Sequence, residues 1–388
     1  MSELLALVLY IATLGLTGSI YVSAAFLPIQ NRGTQVCSKS LDHALATARR
    51  LHSYYDKDRG MYSENYYQWT DSNALEDVQN LMLLSGSDAY SETSESSYLA
   101  RAALDPGTDW NSWLGKYNDD TQWHVLSLWR MSDYRRRRGS DPRPYLAAAE
   151  RMYDIISAHW DDECGGGLWW TTEHTYKNAI TNEQFLLLSA AGYLRNHNQT
   201  YLNNANNVWQ WLRHSGIRNH QGLFNDGLNF TSCRNNGQTT WTYNQGLVAS
   251  GLGALSAATG DKALLDEAEI TLDATIAHLT TNGILRETCD KDTNEGKNCD
   301  GDQQIFKGLW TKHLMYYLEF ANEPHRAQKY SQFLGAQSAA IHHHATNTTS
   351  GDIGSVWYTP NQAGSIFSYK TVTSGLAAHI AAAKYGAC

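Results

Sequence analysis

Proline is nearly missing from this chain, with six in 388 residues. Few helices are therefore interrupted, and the turns fall mostly to Gly, Asn, Asp and Ser. Charge is thin as well: 18% of residues are Asp, Glu, Lys or Arg, and the formal net charge is −9. Phosphate binding needs a basic footprint, so nucleic acid is excluded as a partner. No glycine-rich phosphate loop, serine nucleophile elbow or His-Glu zinc motif occurs, which argues against the chemistry those motifs carry. Phenylalanine is scarce too, 8 against 13 Trp and 23 Tyr. Trp and Tyr pair an apolar face with a hydrogen-bonding edge. Core packing uses many of them, yet the excess of Trp tilts towards ligands with C–H faces beside hydroxyls, that is, saccharides.

The first 24 residues read as a secretory signal peptide. Leu4 to Ala12 is apolar but too short for a comfortable membrane span, and Val22-Ser23-Ala24 offers a small-residue cleavage site. The leading segment carries Glu3 and no Lys or Arg, so an uncleaved anchor is the alternative. Secretion has independent support from three glycosylation sequons, at Asn198, Asn229 and Asn347, and from an even set of six cysteines. Of the 15 pairings that six cysteines allow, only Cys289 with Cys299 is close enough in sequence to name. Ala381 to Cys388 lacks the hydrophobic tail of a lipid-anchor signal. A free, extracellular, monomeric protein is expected, with residues 25–388 as a single domain.

Hydrophobic residues recur with a helical period almost throughout, and two kinds of helix alternate. One is amphipathic: Leu264, Ala268, Leu272, Ile276 and Leu279 form a stripe opposite Asp266, Glu267, Glu269 and Asp273. The other is apolar nearly all round, as in Trp123 to Met131 and Phe185 to Ala191; such a helix is buried on every side. The buried kind starts near 119, 178, 242 and 303, each followed by an amphipathic partner near 143, 199, 261 and 323. Weaker helices near 39, 71, 92 and 372 extend the alternation to six pairs. An inner ring wrapped by an outer ring fits this better than a linear solenoid. The predicted fold is all-α, an (α/α)6 barrel.

In such a barrel the six inner helices start at one mouth. The residues there are Trp69 to Asn73, Tyr117 to Asp120, Tyr176 to Asn178, Trp241 with Tyr243 and Asn244, Asp302 to Lys307, and Tyr369 with Lys370. Capping explains one Ser, Thr, Asp or Asn per helix. A polar, aromatic-lined funnel explains the aromatics and amides beside nearly every one. Asp119-Asp120 is the sharpest feature. Two carboxylates this close do not both ionise easily, so one becomes a proton donor while the helix start favours the other as an anion. Glycoside hydrolysis needs such a pair. Asp161-Asp162 reads as a turn leading to Trp169 and Trp170, and Asn225-Asp226-Gly227 as a turn or a sugar-binding acid. Asp290 to Asn294 resembles the start of a calcium loop, but Glu295 and Gly301 break the pattern, and a solvated acidic loop is preferred. Arg135 to Arg138 suits a helix end, and His342 to His344 reads as loop. No metal or cofactor is expected.

Taken together, Trp69 to Asn73, Tyr117 to Trp123, Gly165 to Asn182, Trp241 to Gly246 and Asp302 to Gly308 resemble glycoside hydrolase family 76. The likeness runs from about Ser38 to the C-terminus. It implies an (α/α)6 barrel and a retaining endo-α-1,6-mannanase acting on α-1,6-linked mannan or manno-oligosaccharides. It also implies Asp119 as nucleophile, Asp120 as acid/base and Asp226 as a holder of sugar hydroxyls. Trp123, Trp170, Trp241 and Tyr243 are then the expected sugar contacts, with Asn178 and Asn244 as hydrogen-bonding partners. Fungal members include lipid-anchored cell-wall proteins thought to be transglycosidases. A transglycosidase, or a mannan-binding wall protein without turnover, are therefore the alternatives. An unrelated epimerase would normally place His at the mouth, where acids and amides stand here.

Overall fold

The computed structural model describes residues 36–63, 68–293 and 299–388. The expected signal peptide, 1–24, lies outside the described residues. Fourteen α-helices are present among them. Six form an inner ring: α2 (Gln68–Ser85), α6 (Asn118–Arg137), α8 (Ala179–Asn196), α10 (Thr242–Thr259), α12 (Phe306–Ala321) and α14 (Tyr369–Tyr385). Each packs on the next, and α14 packs back on α2, so the ring closes. The outer positions are taken by α1 (Ser38–His52), α7 (Arg143–Ser157), α9 (Gln199–His214), α11 (Ala263–His278) and α13 (Pro324–Ala340). The sixth holds two short helices, α3 (Thr93–Ser96) and α4 (Tyr98–Leu104). The chain turns extended at Ser97, whose side chain caps α4. A further short helix, α5 (Trp110–Trp113), leads into α6. The (α/α)6 barrel is therefore observed, with two small antiparallel ribbons in its loops.

The inner helices are buried as expected, but their polar residues are buried with them. Lys312 of α12 is fully enclosed, its Nζ 2.7 Å from Glu76, 3.1 Å from Asp77 and 2.8 Å from Asn73 Oδ1. The Tyr316 hydroxyl donates to Glu76 at 2.7 Å and accepts from Asn80 at 2.6 Å. At the far end Arg130 pairs with Glu319 at 3.4 Å, and Lys384 reaches the same carboxylate at 2.5 Å. Inner helices also approach closely where they carry glycine. A Cβ on Gly308 would lie 2.4 Å from Ser374 Cα, and one on Gly246 2.8 Å from Trp310 Cα.

All six cysteines pair. Cys289 joins Cys299 as expected; Cys164 joins Cys233, and Cys37 joins Cys388 across 351 residues. Asp290 is spent inside the fold, accepting from Lys307 Nζ at 2.6 Å and from the Glu287 amide at 2.9 Å. The Lys307 ammonium thus occupies the first position of the calcium-like segment, of which residues 294–298 lie outside the described residues. Arg135, Arg136 and Arg137 form the last turn of α6. His342 to His344 is not loop: it forms a π-helical turn, Ile341–Ala345, continuing α13. Among the described residues no helix is long and apolar enough to cross a membrane.

Candidate active site

Side chains and backbone tie the six inner-helix starts into one circle. Thr70 of α2 meets Tyr369 of α14 at 2.6 Å, and Ser368 meets Gln304, ahead of α12, at 2.6 Å. Phe306 of α12 stacks on Tyr243 of α10, centroids 3.7 Å apart. The Asp226 carbonyl, ahead of α10, accepts from the Ala179 amide of α8 at 2.8 Å. The Trp170 amide-linked carbonyl, ahead of α8, accepts from the Asn118 amide of α6 at 2.8 Å. His124 of α6 and Ser72 of α2 complete the round at 2.6 Å.

Asp119 and Asp120 stand in the first turn of α6, partly exposed within this mouth. The N-cap is Tyr117, which makes no side-chain cap bond, so capping accounts for neither acid. Their surroundings differ. Asp119 accepts from the Asp120 amide at 3.1 Å and from the Trp170 indole N–H at 3.1 Å. Among the described residues nothing donates to the Asp120 carboxyl. Burial pushes Asp119 up from 3.8 to about 7, against the pull of the backbone amides and the Trp170 indole. Burial also raises Asp120 well above the usual carboxylate range, and the charges of Asp119 and Asp302 push it the same way. The two titrate as a pair, and the donors bias the negative charge to Asp119 and the proton to Asp120.

Around them the other expected residues divide. Trp170 and Trp241 are partly exposed at the mouth, and Trp170 packs 5.0 Å from Tyr117. Asp226 accepts from the Tyr176 hydroxyl at 2.8 Å. Burial raises its pKa, while Tyr176 and Trp241 hold it down. Tyr243 is nearly buried against Phe306. Asn178 is the N-cap of α8, accepting from the Thr181 amide at 3.3 Å, so capping explains it. Trp123 lies beneath the mouth, 2% exposed and 5.9 Å from Trp69, where it supports the floor without presenting a face. Asn244 is wholly enclosed, and among the described residues neither amide atom has a partner.

Two further acids stand at the site, Asp302, placed at the mouth from the sequence but given no role there, and Glu183, not named from it. Asp302 is exposed in the mouth, takes the Trp69 indole N–H at 3.3 Å, and raises both Asp119 and Asp120 by its charge. Its place ahead of an inner helix was the available signal. Glu183, one turn inside α8, is buried with both oxygens unpartnered among the described residues; burial first, then Asp226, holds it well above its usual range. A carboxyl beside the run Phe185 to Leu188 was the signal missed there. Among the described residues no three His, Cys, Asp or Glu side chains converge as a metal site.

A closed helical ring with a carboxylate pair in an aromatic mouth is the build of a carbohydrate-active barrel enzyme. The comparisons name the family: residues 40–385 match the model of glycosyl hydrolase family 76, and the chain belongs to it. It is 26% identical over 278 residues to a mannan endo-1,6-alpha-mannosidase of Eremothecium gossypii, covering 67% of this chain and 60% of that protein. A mannan endo-1,6-alpha-mannosidase of Candida glabrata is 25% identical over 336 residues, 80% of this chain and 72% of that protein. The fold matches an alpha-1,6-mannanase of Salegentibacter sp. HEL1_6, an inactive variant in complex with alpha-1,6-mannotriose. That match has TM-score 0.75 and 20% identity, over 89% of this chain and 99% of that one. Dfg5 from Chaetomium thermophilum, in complex with glucosamine, matches with TM-score 0.74 and 20% identity, over 91% and 92%.

Proposed function

We propose that this protein is a retaining endo-α-1,6-mannanase with Asp119 as nucleophile and Asp120 as acid/base. The observation that carries the reading is the asymmetry of the pair: Asp119 is held by a helix start and an indole N–H, whereas among the described residues Asp120 has no donor. Asp119 attacks the anomeric carbon as Asp120 gives its proton to the departing glycosidic oxygen, so one C–O bond breaks and a glycosyl ester forms. Asp120, now ionised, takes a proton from water; the water oxygen attacks the same carbon and Asp119 is released, with configuration retained. These two carboxyls need no cofactor. Asp226, braced by Tyr176, and the indoles of Trp170 and Trp241 are the proposed sugar contacts. The homologous mannosidases support mannan as substrate.

Residues 25–388 are read as one catalytic domain acting as a monomer. Three cystine pairs support an oxidising, secreted or cell-wall setting, and the exposed sequons at Asn198, Asn229 and Asn347 support a glycoprotein. The test is incubation with linear α-1,6-mannan, following the anomeric proton by NMR. Internal cleavage with initial retention is expected. Inversion, or no cleavage across pH 4 to 8, would remove the assignment. Transfer of mannosyl units to an added acceptor in place of hydrolysis would make it a transglycosidase using the same ester.

A further inference from the structure

We propose that the rim of the mouth carries a second saccharide-binding surface, separate from the carboxylate pair, that holds a neutral polysaccharide chain. Its preference for mannan rests on the mannanase reading above. A depression of about 450 Å³ opens between the α7–α8 connection and the last turns of α9, within the range of roughly 300–1,000 Å³ usual for ligand sites. It contains neither Asp119 nor Asp120. Trp160, Asp162, Asn207, Gln210, Trp211 and His214 line it. Asn207, Gln210 and His214 stand at i, i+3 and i+7, on one face of α9. All three are exposed, and Trp160 is partly so.

The chemistry of the lining selects the ligand. Among the described residues the Asn207 and Gln210 side-chain amides have no protein partner, so both offer donors and an acceptor to a hydroxyl-rich molecule. No Lys or Arg lines the depression while Asp162 does, which disfavours an anion. An indole face beside neutral amides suits a sugar ring, with C–H patches on one side and hydroxyls at its edge.

The surface is also held in shape. Gly166 and Gly167 have φ of +126° and +97°, and a Cβ on them would lie 2.8 Å from the Trp160 ring and 2.9 Å from the Trp211 ring. The Trp211 indole N–H donates to the Cys164 carbonyl at 3.1 Å, and Cys164 is tied to Cys233. The indole side of the surface therefore needs little ordering on binding. Position links the two sites. Trp160 pairs through its backbone with Leu168, and two residues further on Trp170 bonds Asp119. One short segment thus spans depression and mouth, and a long chain bound at either site is concentrated at the other.

The experiment uses the full chain and soluble linear α-1,6-mannan. Electrophoretic retardation in mannan-containing gels is measured for the native protein, for Asn207→Ala/Gln210→Ala and for Trp160→Ala, with kcat/KM on α-1,6-mannotriose followed in parallel. Retardation should weaken several-fold in both variants, while trisaccharide turnover stays within about twofold. Unchanged retardation in the double variant, whose two positions are exposed and unbonded, overturns the proposal. So does a parallel loss of trisaccharide turnover, which would place these residues in the active site, and so does a native protein that mannan does not retard. A native protein that is retarded through Asn207 and Gln210 but cleaves no mannan upholds the surface and removes the mannanase reading.

Discussion

Two neighbouring aspartates differ because, among the described residues, one has donors and the other has none, and that difference sets measurable behaviour. Asp120→Asn removes the proposed proton donor, so kcat on mannan should fall by about 10²–10⁴-fold. The same change should stabilise the fold. In the folded protein the Asp120 pKa lies above its ordinary 3.8, so ionisation is resisted, and the stability lost to it grows as pH rises from 3.8 towards the folded value. An amide does not ionise. The variant should therefore melt higher than wild type at pH 7 and alike at pH 3; a lower melting point at pH 7 would contradict the burial argument. Asp302 supplies a further check, because its charge raises both Asp119 and Asp120. Under the proposed mechanism Asp119 acts ionised and Asp120 protonated, so activity is expected to fall as pH drops through about 7 and again as it climbs through the Asp120 value. Asp302→Asn should move both limbs of the kcat/KM profile to lower pH. A profile that stays in place would show that Asp302 does not face the pair.

At the scale of helices, the period of apolar residues revealed six buried and six covering elements but not what the buried ones face. Trp123 to Met131 and Phe185 to Ala191 are enclosed as their composition implies, yet Glu76, Asp77, Glu183 and Lys312 are enclosed with them. A ring of six helices has an axis as well as walls, and Glu76, Asp77 and Lys312 fill part of it by pairing with one another. Pairing across 236 residues, as between Glu76 and Lys312, leaves no local mark in sequence. That is why the mouth was legible, through helix starts rich in acids and aromatics and Asp302 among them, while the buried Glu183 and the push of Asp302 on the aspartate pair were not. The same blindness made Trp123 look like a sugar platform: one turn beyond Asp119 it points under the floor, stacked on Trp69. The axial network also makes a prediction. Lys312→Met leaves Glu76 and Asp77 without their cation, and breaking a buried pair from one side costs about 3–5 kcal/mol. Urea unfolding of the variant should show that loss; a change below about 1 kcal/mol would mean the carboxylates are neutral without Lys312.

The whole barrel is held closed by contact between its first and last helices, because α14 must pack on both α1 and α2 for the mouth to exist. Every other neighbouring pair of inner helices is joined by a connection through an outer helix, so this seam alone among the inner contacts has no chain running across it. Cys37 and Cys388 staple it, with the Cys37 amide also donating to the Ala383 carbonyl at 2.9 Å. Constraining the unfolded chain stabilises more as the enclosed loop grows. The seam disulfide, closing 351 residues, should therefore be worth about 6 kcal/mol, against about 3 kcal/mol for Cys289 with Cys299, which close 10. Guanidinium unfolding of Cys37→Ser/Cys388→Ser and Cys289→Ser/Cys299→Ser tests the order. If closure matters as argued, the seam variant is the less stable of the two, while its mannan turnover well below the melting temperature matches wild type, since neither cysteine is near the carboxylates. The reverse order would mean that the ring is held by its packed glycine crossings, with the seam already closed in the unfolded chain's own collapse.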